Sequence, residues 1–377
     1  MTMTHRQRAI AAIRGERPDR VPFIGRMDLW YAYNFHRGTL PEKYQGWSLW
    51  DIQRDLGIGI FGFGAWTASF YKLEYEGMEV RRGSTETEQI VEYVTPFGTL
   101  RSRNVLAEEI KDADVTGAQV EHHFKDERDY DALQYLFEHT RVVDNYDEYA
   151  KVVDAIGEDG LALPYSGWLA MHQIMREYMG YETFYYQLND HPDRVEKLHE
   201  ALLEQQRAII RLGAHSPAQV IEVGGNYEEM ITPPSIFQKY FTPFYREAAD
   251  ILHKTGKLMA AHCDGDMDRL LALVGDCGLD VAEAITPAPM TSIDVRNARA
   301  LWAGKTAMWG GVPTILLTET FTDAEFEANV LDLFRAVAPG DRFVLGFGDN
   351  APTDAIFSRI AMLAELYDKY GGYPISV

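Results

Sequence analysis

Apolar and polar positions follow two different rhythms along this chain. From residue 160 onward, short apolar runs alternate with longer amphipathic stretches. The runs are LALPYSG (161–167), AQVIEVGG (218–225), KLMAAHCDGD (257–266), LDVAEAITP (279–287), KTAMWGGVP (305–313) and DRFVLGFGDN (341–350). Stretches such as PPSIFQKYFTPFYREAADILHKTG and PTDAIFSRIAMLAELYDKYG follow them. In the second, Ile356, Ile360, Leu363 and Tyr367 line one helical stripe. Upstream, Thr4 and Gln7 have the spacing of a capping box, Ile10 and Ile13 share a face, and Gly15 and Pro18 stop the helix. Residues 20–25 and IGIFGFG (58–64) read as strands, and residues 47–56 as a helix. The six later β/α units and the two earlier strands predict an α/β chain built as a (β/α)8 TIM barrel, one domain over residues 1–377. An open doubly wound sheet would want a G-x-G-x-x-G turn after an early strand, and none stands in that context.

Residues 73–106 have the other rhythm. Polar and apolar positions alternate around the turn signals Glu76-Gly77, Gly83-Ser84 and Pro96-Phe97-Gly98, which predicts an antiparallel β-meander inserted beside the main body. Residues 107–156 are charged and read as mostly helical.

A barrel of this kind does its chemistry at the C-terminal ends of its strands. Those ends carry Tyr165, Glu222, His262 with Asp264, Glu283, and Asp349 with Asn350. Alternation turns His262 and Asp264 to one side and Cys263 to the other, which makes Cys263 a packed bystander. Converging carboxylates repel one another unless a cation, a basic side chain or shared protons offset them. Glu222, His262, Asp264, Glu283 and Asp349 form a plausible N/O set for zinc or another divalent metal. Capping of the next helix is the competing role for Asp266 and Asp349. Arg26, Trp30 and Tyr31 after the first strand, Trp66 after the second, and Tyr165 are the candidates for a substrate pocket. His172 and Arg176, one helical turn apart, read as a helix face near it.

Charge narrows the partners. With 57 acidic against 36 basic residues the net charge is −21, which disfavours nucleic acid and anionic membrane surfaces. No apolar run is long enough to span a membrane, and the N-terminus lacks the apolar core of a secretory signal. Two cysteines, Cys263 and Cys277, leave no disulfide framework, so the expected compartment is the cytoplasm.

Four stretches carry a family resemblance: MTHRQRAIAAIRGERPDRVP, SGWLAMHQIMREYMGYETFYYQLNDHPDRVEKLHEAL, HCDGDM and GFGDNAPTDAIFSRIAMLAELYDKYG. Together they resemble the uroporphyrinogen decarboxylase superfamily, whose fold is a (β/α)8 barrel. One branch decarboxylates a tetrapyrrole without a cofactor and grips the substrate's propionates with an arginine-rich RQAGR-type stretch. Here that region reads FIGRMDLWYAYNF, with one arginine and many aromatics. The other branch comprises corrinoid-dependent methyltransferases, which hold zinc through an H-x-C motif and a later cysteine. In this chain Asp264 and Asp349 stand at those cysteine positions, and Glu283 fits the slot of a glutamate used by related methyl-transferring barrels. An oxygen-rich site is harder than a sulfur-rich one and suits an ether oxygen. The resemblance therefore implies an enzyme that demethylates a small aromatic methyl ether. His262, Glu283 and Asp264 would be catalytic, and the methyl group would pass to a corrinoid (cobalamin) carried by a separate protein. A metal-free decarboxylase is the alternative, and a homodimer is compatible with either.

Overall fold

The structure is a computed structural model that describes residues 2–63, 69–113, 115 and 117–377. In chain order the strands are β1 (Ile60–Phe63), β2 (Tyr71–Tyr75), β3 (Glu79–Ser84), β4 (Glu88–Thr95), β5 (Gly98–Val105), β6 (Ala118–Glu121), β7 (Thr140–Asp144), β8 (Gly160–Leu163), β9 (Val220–Gly225), β10 (Leu258–His262), β11 (Val281–Ile285), β12 (Ala307–Val312) and β13 (Phe343–Phe347). The fold is α/β with parallel sheets. β9 to β13 form a five-stranded sheet in sequence order, and β1 pairs with β8. Isolated parallel bridges join these pieces: Tyr165 to Glu222, Phe23 to Leu345, and Ile24 to Gly59. The pairings thus run from residues 23–26 through β1, β8 and β9 to β13, and back to residues 23–26.

Strand alternation divides the core into two layers. One set of positions forms an inner cluster: Phe61, Leu161, Leu163, Val220, Leu258, Ala260, Val281, Trp309 and Val344, with Ala9, Ala12 and Ile13 of the first helix. The other set packs outward against the helices, and it includes Ile221, Val223, Met259, Ala261, Cys263 and Ala282. The same parity that points Val220, Ala260 and Val281 inward carries Glu222, His262 and Glu283 inward, toward the C-terminal ends.

The first helix, His5–Arg14, begins with the expected capping box between Thr4 and Gln7 and ends at Gly15 in the left-handed conformation. Its last carbonyls, on Ile13 and Arg14, accept hydrogen bonds from the Arg342 guanidinium at 2.8 and 3.1 Å. The expected helix at residues 47–56 spans Leu49–Asp55 with Ser48 as its N-cap. In the last helix, Phe357–Tyr370, Ile360, Leu363 and Tyr367 of the expected stripe are buried. No helix among the described residues is long and apolar enough to cross a membrane.

The middle of the chain departs from expectation. The antiparallel sheet is four-stranded, ordered β3-β4-β5-β6, so it ends at Glu121 rather than near residue 106. The first run of the expected meander, β2, pairs instead with β7, across register partners such as Leu73 and Val142. Residues 107–156 therefore hold two strands, β6 and β7, that their charge concealed. Each is short, and its partner lies far away in the chain, so local pattern carries little signal.

Candidate metal centre

Glu222 ends the inner column of β9, His262 closes β10 and Glu283 sits in β11. Register shifts interrupt the ladders between Ala260 and His262 and between Ala282 and Ile285. Such bulges re-aim side chains. Next to Glu283, Ala284 adopts a positive φ of 61°, an uncommon conformation for a residue with a β-carbon. Gly225 lies at φ 149°, where an added β-carbon would fall 2.4 Å from the carbonyl oxygen of His262. Backbone and side chains at this corner are thus tightly specified.

The three side chains converge. One ligand atom from each of Glu222, His262 and Glu283 lies within 4.8 Å of the other two. They are 0%, 7% and 2% exposed, respectively. His262 Nδ1 is 2.6 Å from Glu283 Oε2 and 3.9 Å from Glu222 Oε1. On the other side of the ring, Nε2 lies 3.7 Å from Asp349 Oδ1. Asp349 in turn pairs with the Arg26 guanidinium.

The electrostatics leave a deficit of positive charge. Burial alone would lower the His262 imidazole. Glu283, by charge and hydrogen bond, with Asp349 and Glu222, outweighs it and holds the group at about 9. Burial and the charge of Glu283 push the Glu222 carboxyl well above its ordinary value. Burial and Arg26 act in opposite directions on Asp28, whose carboxyl also ends up raised. Glu222, Glu283 and Asp349 bear on both Arg26 and His262, Asp28 bears on Arg26, and Asp264 bears on His262. Neither oxygen of the fully buried Glu222 finds a hydrogen-bond donor among the described residues. A buried carboxylate without a donor is costly. A divalent cation between Glu222, His262 Nδ1 and Glu283 would satisfy it. Ligand atoms on one first-row cation stand about 3–4 Å apart, close to the spacing seen. The residues therefore fit a metal ion.

The convergent group holds three of the five residues expected from the strand ends. Asp264 lies outside the convergent group, and its Oδ1 accepts the Gly265 N–H at 2.9 Å. Asp349 is engaged by Arg26 and faces the far nitrogen of His262. Cys263 is buried in the outer layer, where burial and Cys277 raise its thiol well above the ordinary value.

The expected aromatic wall also needs correction. Trp30 is 2% exposed and stacks on Phe357 with ring centroids 5.6 Å apart, so it is packed between helices. Tyr31 donates to the Trp47 carbonyl at 2.9 Å and stacks on Phe35. Trp66 lies outside the described residues. Tyr165 and Arg26 do stand at the strand ends: Tyr165 bridges Glu222, and Arg26 bridges Asn350. His172 is buried against Trp168, Tyr227 and Phe241, and burial followed by Arg176 lowers its imidazole to about 3. Two acidic residues were missed. Asp28 is two positions beyond Arg26 and bears on it electrostatically, which alternation from Arg26 would have suggested. Glu177 carries no pattern of its own in the sequence.

The profile of the family described as uroporphyrinogen decarboxylase (URO-D) matches residues 102–370. No curated protein matches the chain. Among solved structures, a methyltransferase from Methanosarcina mazei is similar, with a TM-score of 0.61 and 12% identity over 98% of this chain and 99% of that one. At that identity the likeness speaks for the fold. A psychrophilic glycoside hydrolase family 10 endo-β-1,4-xylanase overlaps 59% of this chain and 82% of its own at 11% identity, but its TM-score of 0.32 carries no argument.

Proposed function

The chain belongs to the uroporphyrinogen decarboxylase (URO-D) family, and from that premise we propose that it is an enzyme removing the methyl group of a small aromatic methyl ether. We infer that the closed series of parallel strands is a (β/α)8 barrel in a single domain, with the antiparallel sheet as an insertion. The methyl acceptor in this reading is the corrinoid cobalt of a separate partner protein. The observation that carries the proposal is the buried convergence of Glu222, His262 and Glu283, with a Glu222 carboxylate that no donor satisfies.

A divalent ion, zinc on the nitrogen and oxygen donor set, would be held by these three residues and would supply Lewis acidity to the ether oxygen. The remaining work belongs to the chain. Arg26 pairs with Asp349 on the Nε2 side of His262, and the 2.6 Å contact of Nδ1 with Glu283 turns the ring toward the two glutamates. Asp264 is partly accessible, and burial with the charge of Asp349 raises its carboxyl. In this reading Asp264 serves as the acid for the departing oxygen. The O–CH3 bond would break with its electron pair on the aryl oxygen, the pair for the new bond to the methyl carbon would come from the reduced cobalt of the partner protein, and the proton that completes the phenol would come from Asp264. Tyr165, beside Glu222, walls the approach.

The metal-free decarboxylase reading would use Arg26 to grip a substrate carboxylate. It is the weaker one, because that guanidinium is already paired with Asp349.

Elemental analysis of the purified protein tests the proposal, with wild type beside His262→Ala and Glu283→Ala. About one equivalent of zinc or another divalent metal in wild type, lost in both variants, is the expected result. Corrinoid-coupled demethylation should be lost with it. A wild-type protein that takes up no metal after reconstitution would overturn the Lewis-acid reading.

A further inference from the structure

The end of the strands opposite Glu222, His262 and Glu283 carries a cavity of its own. Its volume is about 410 Å³, and it lies between the helix Val295–Trp302 and the chain that enters β12 and β13. Thr306 and Met308 line it where β12 begins, and Asp341 and Arg342 line it where β13 begins. Ala300 and Gly304, both exposed, are on its wall. The space is that of a small-molecule pocket.

The charged groups on the wall are Arg296, Arg299, Arg342 and Asp341. Cations are thus in local excess, in a chain whose net charge is −21. Arg296 is taken, since its guanidinium donates to both carboxylate oxygens of Asp332, at 2.8 and 3.2 Å. The Asp341 carboxylate accepts from the Tyr373 hydroxyl. Arg299 and Arg342 form no ion pair with a carboxylate among the described residues. They donate only to backbone carbonyls: Arg299 to Asp341 at 3.0 Å, and Arg342 to Ile13 and Arg14 at 2.8 and 3.1 Å.

A guanidinium has five N–H donors and no acceptor. Capping the first helix accounts for the two bonds of Arg342. The other donors of Arg299 have no acceptor among the described residues, although the side chain is half-buried. Burial lowers this guanidinium, and the charge of Asp341 opposes the effect without cancelling it. The backbone of Arg342 adds a separate sign. It is held at φ 50°, with its carbonyl accepting the Met308 N–H at 2.9 Å. Residues with a β-carbon rarely adopt that region, and those that do cluster where ligands are held.

We propose that this cavity binds a phosphate group, free or esterified on a small molecule, between the guanidiniums of Arg299 and Arg342. Two guanidiniums without carboxylate partners match the charge of a phosphate, and their planar forks match its oxygens. The site stands apart from the demethylation reading and does not depend on it. A phosphate there would join the end of the first helix, through Arg342, to the helix that carries Arg299. Binding should therefore also raise the melting temperature of the protein.

Isothermal titration of the full chain tests this, with inorganic phosphate, glycerol phosphate and acetate as probes. Wild type should bind phosphate saturably. His262→Ala should bind it equally well, which sets the binding apart from the carboxyl ends of the strands. Arg299→Gln should weaken it about tenfold or more, because charge-assisted hydrogen bonds are lost. Ala300→Glu places a carboxylate on the exposed wall without removing a side-chain hydrogen bond, and it should weaken binding similarly even if Arg299→Gln folds poorly. Glycerol phosphate bound more tightly than phosphate supports the site as one for an ester, and the reverse order supports it as one for free phosphate. Three results would overturn the inference: no saturable phosphate binding by wild type, acetate bound as tightly as phosphate, or binding lost in His262→Ala and kept in Ala300→Glu. Arg299 and Arg342 would then serve only to hold backbone carbonyls.

Discussion

His262 shows how one side chain acquires its role from its neighbours. Its two ring nitrogens meet different partners: Nδ1 meets Glu283 and Glu222, and Nε2 meets Asp349. A carboxylate near the second nitrogen makes an imidazole more basic through its charge. Asp349→Asn should therefore lower metal affinity or turnover about 10–100-fold while circular dichroism stays native. Metal titration against a competing chelator would measure it, and unchanged affinity and rate would remove Asp349 from the site's support. At this scale the sequence was a good guide where strand parity decides direction. It set Glu222, His262 and Glu283 at strand ends and turned Cys263 away from His262. It was a poor guide to distance. Asp264 shares parity with His262, but the chain has left the strand by then, and its carboxylate turns back onto Gly265.

Elements explain why the three ligand candidates meet at all. β9, β10 and β11 are adjacent and parallel, which brings Glu222, His262 and Glu283, far apart in the chain, to neighbouring strand ends. The bulges then set the final aim. Gly225 is a tight point at this corner, since no side chain fits beside the His262 carbonyl. Gly225→Ala should destabilise the protein by about 2–4 kcal/mol, from an unfavourable φ and a steric clash together, and should lower metal content. Thermal unfolding and elemental analysis would show it, and a native melting temperature with full metal would refute the argument. The same scale explains the error at β2. Its alternation with β3 fits a hairpin, but pairing is decided by which partner the tertiary fold supplies, and β7 lies far along the chain.

For the whole molecule, the N-terminal helix seals the end of the inner core opposite Glu222, His262 and Glu283, with Ala9, Ala12 and Ile13 against the strand bases. Arg8 of that helix binds Asp19 through two hydrogen bonds, of 2.6 and 3.1 Å, which fastens the helix to the chain that enters the ring. Arg8 is the first cause holding the Asp19 carboxyl down at about 2. A carboxyl lowered by folding contributes stability that is complete above its ordinary value of about 3.9 and is lost as pH falls through its folded value. Asp19→Asn should therefore cost about 0.5–1 kcal/mol near neutral pH, modest because the pair is partly screened by solvent. The difference from wild type should shrink to nothing near pH 2, and denaturant unfolding across that range would check the sign. By itself, the sequence determined the strand and helix rhythm after residue 160, the inward parity of the acidic strand ends and the acidic surface. Each of these follows from local periodicity or composition. Only the tertiary structure decided that Asp349 answers to Arg26, that Trp30 is packed between helices, and that Tyr93 of β4 and Tyr178 flank the His123 ring. Those outcomes depend on pairings between distant segments, and the energy of such contacts is not written in any local pattern.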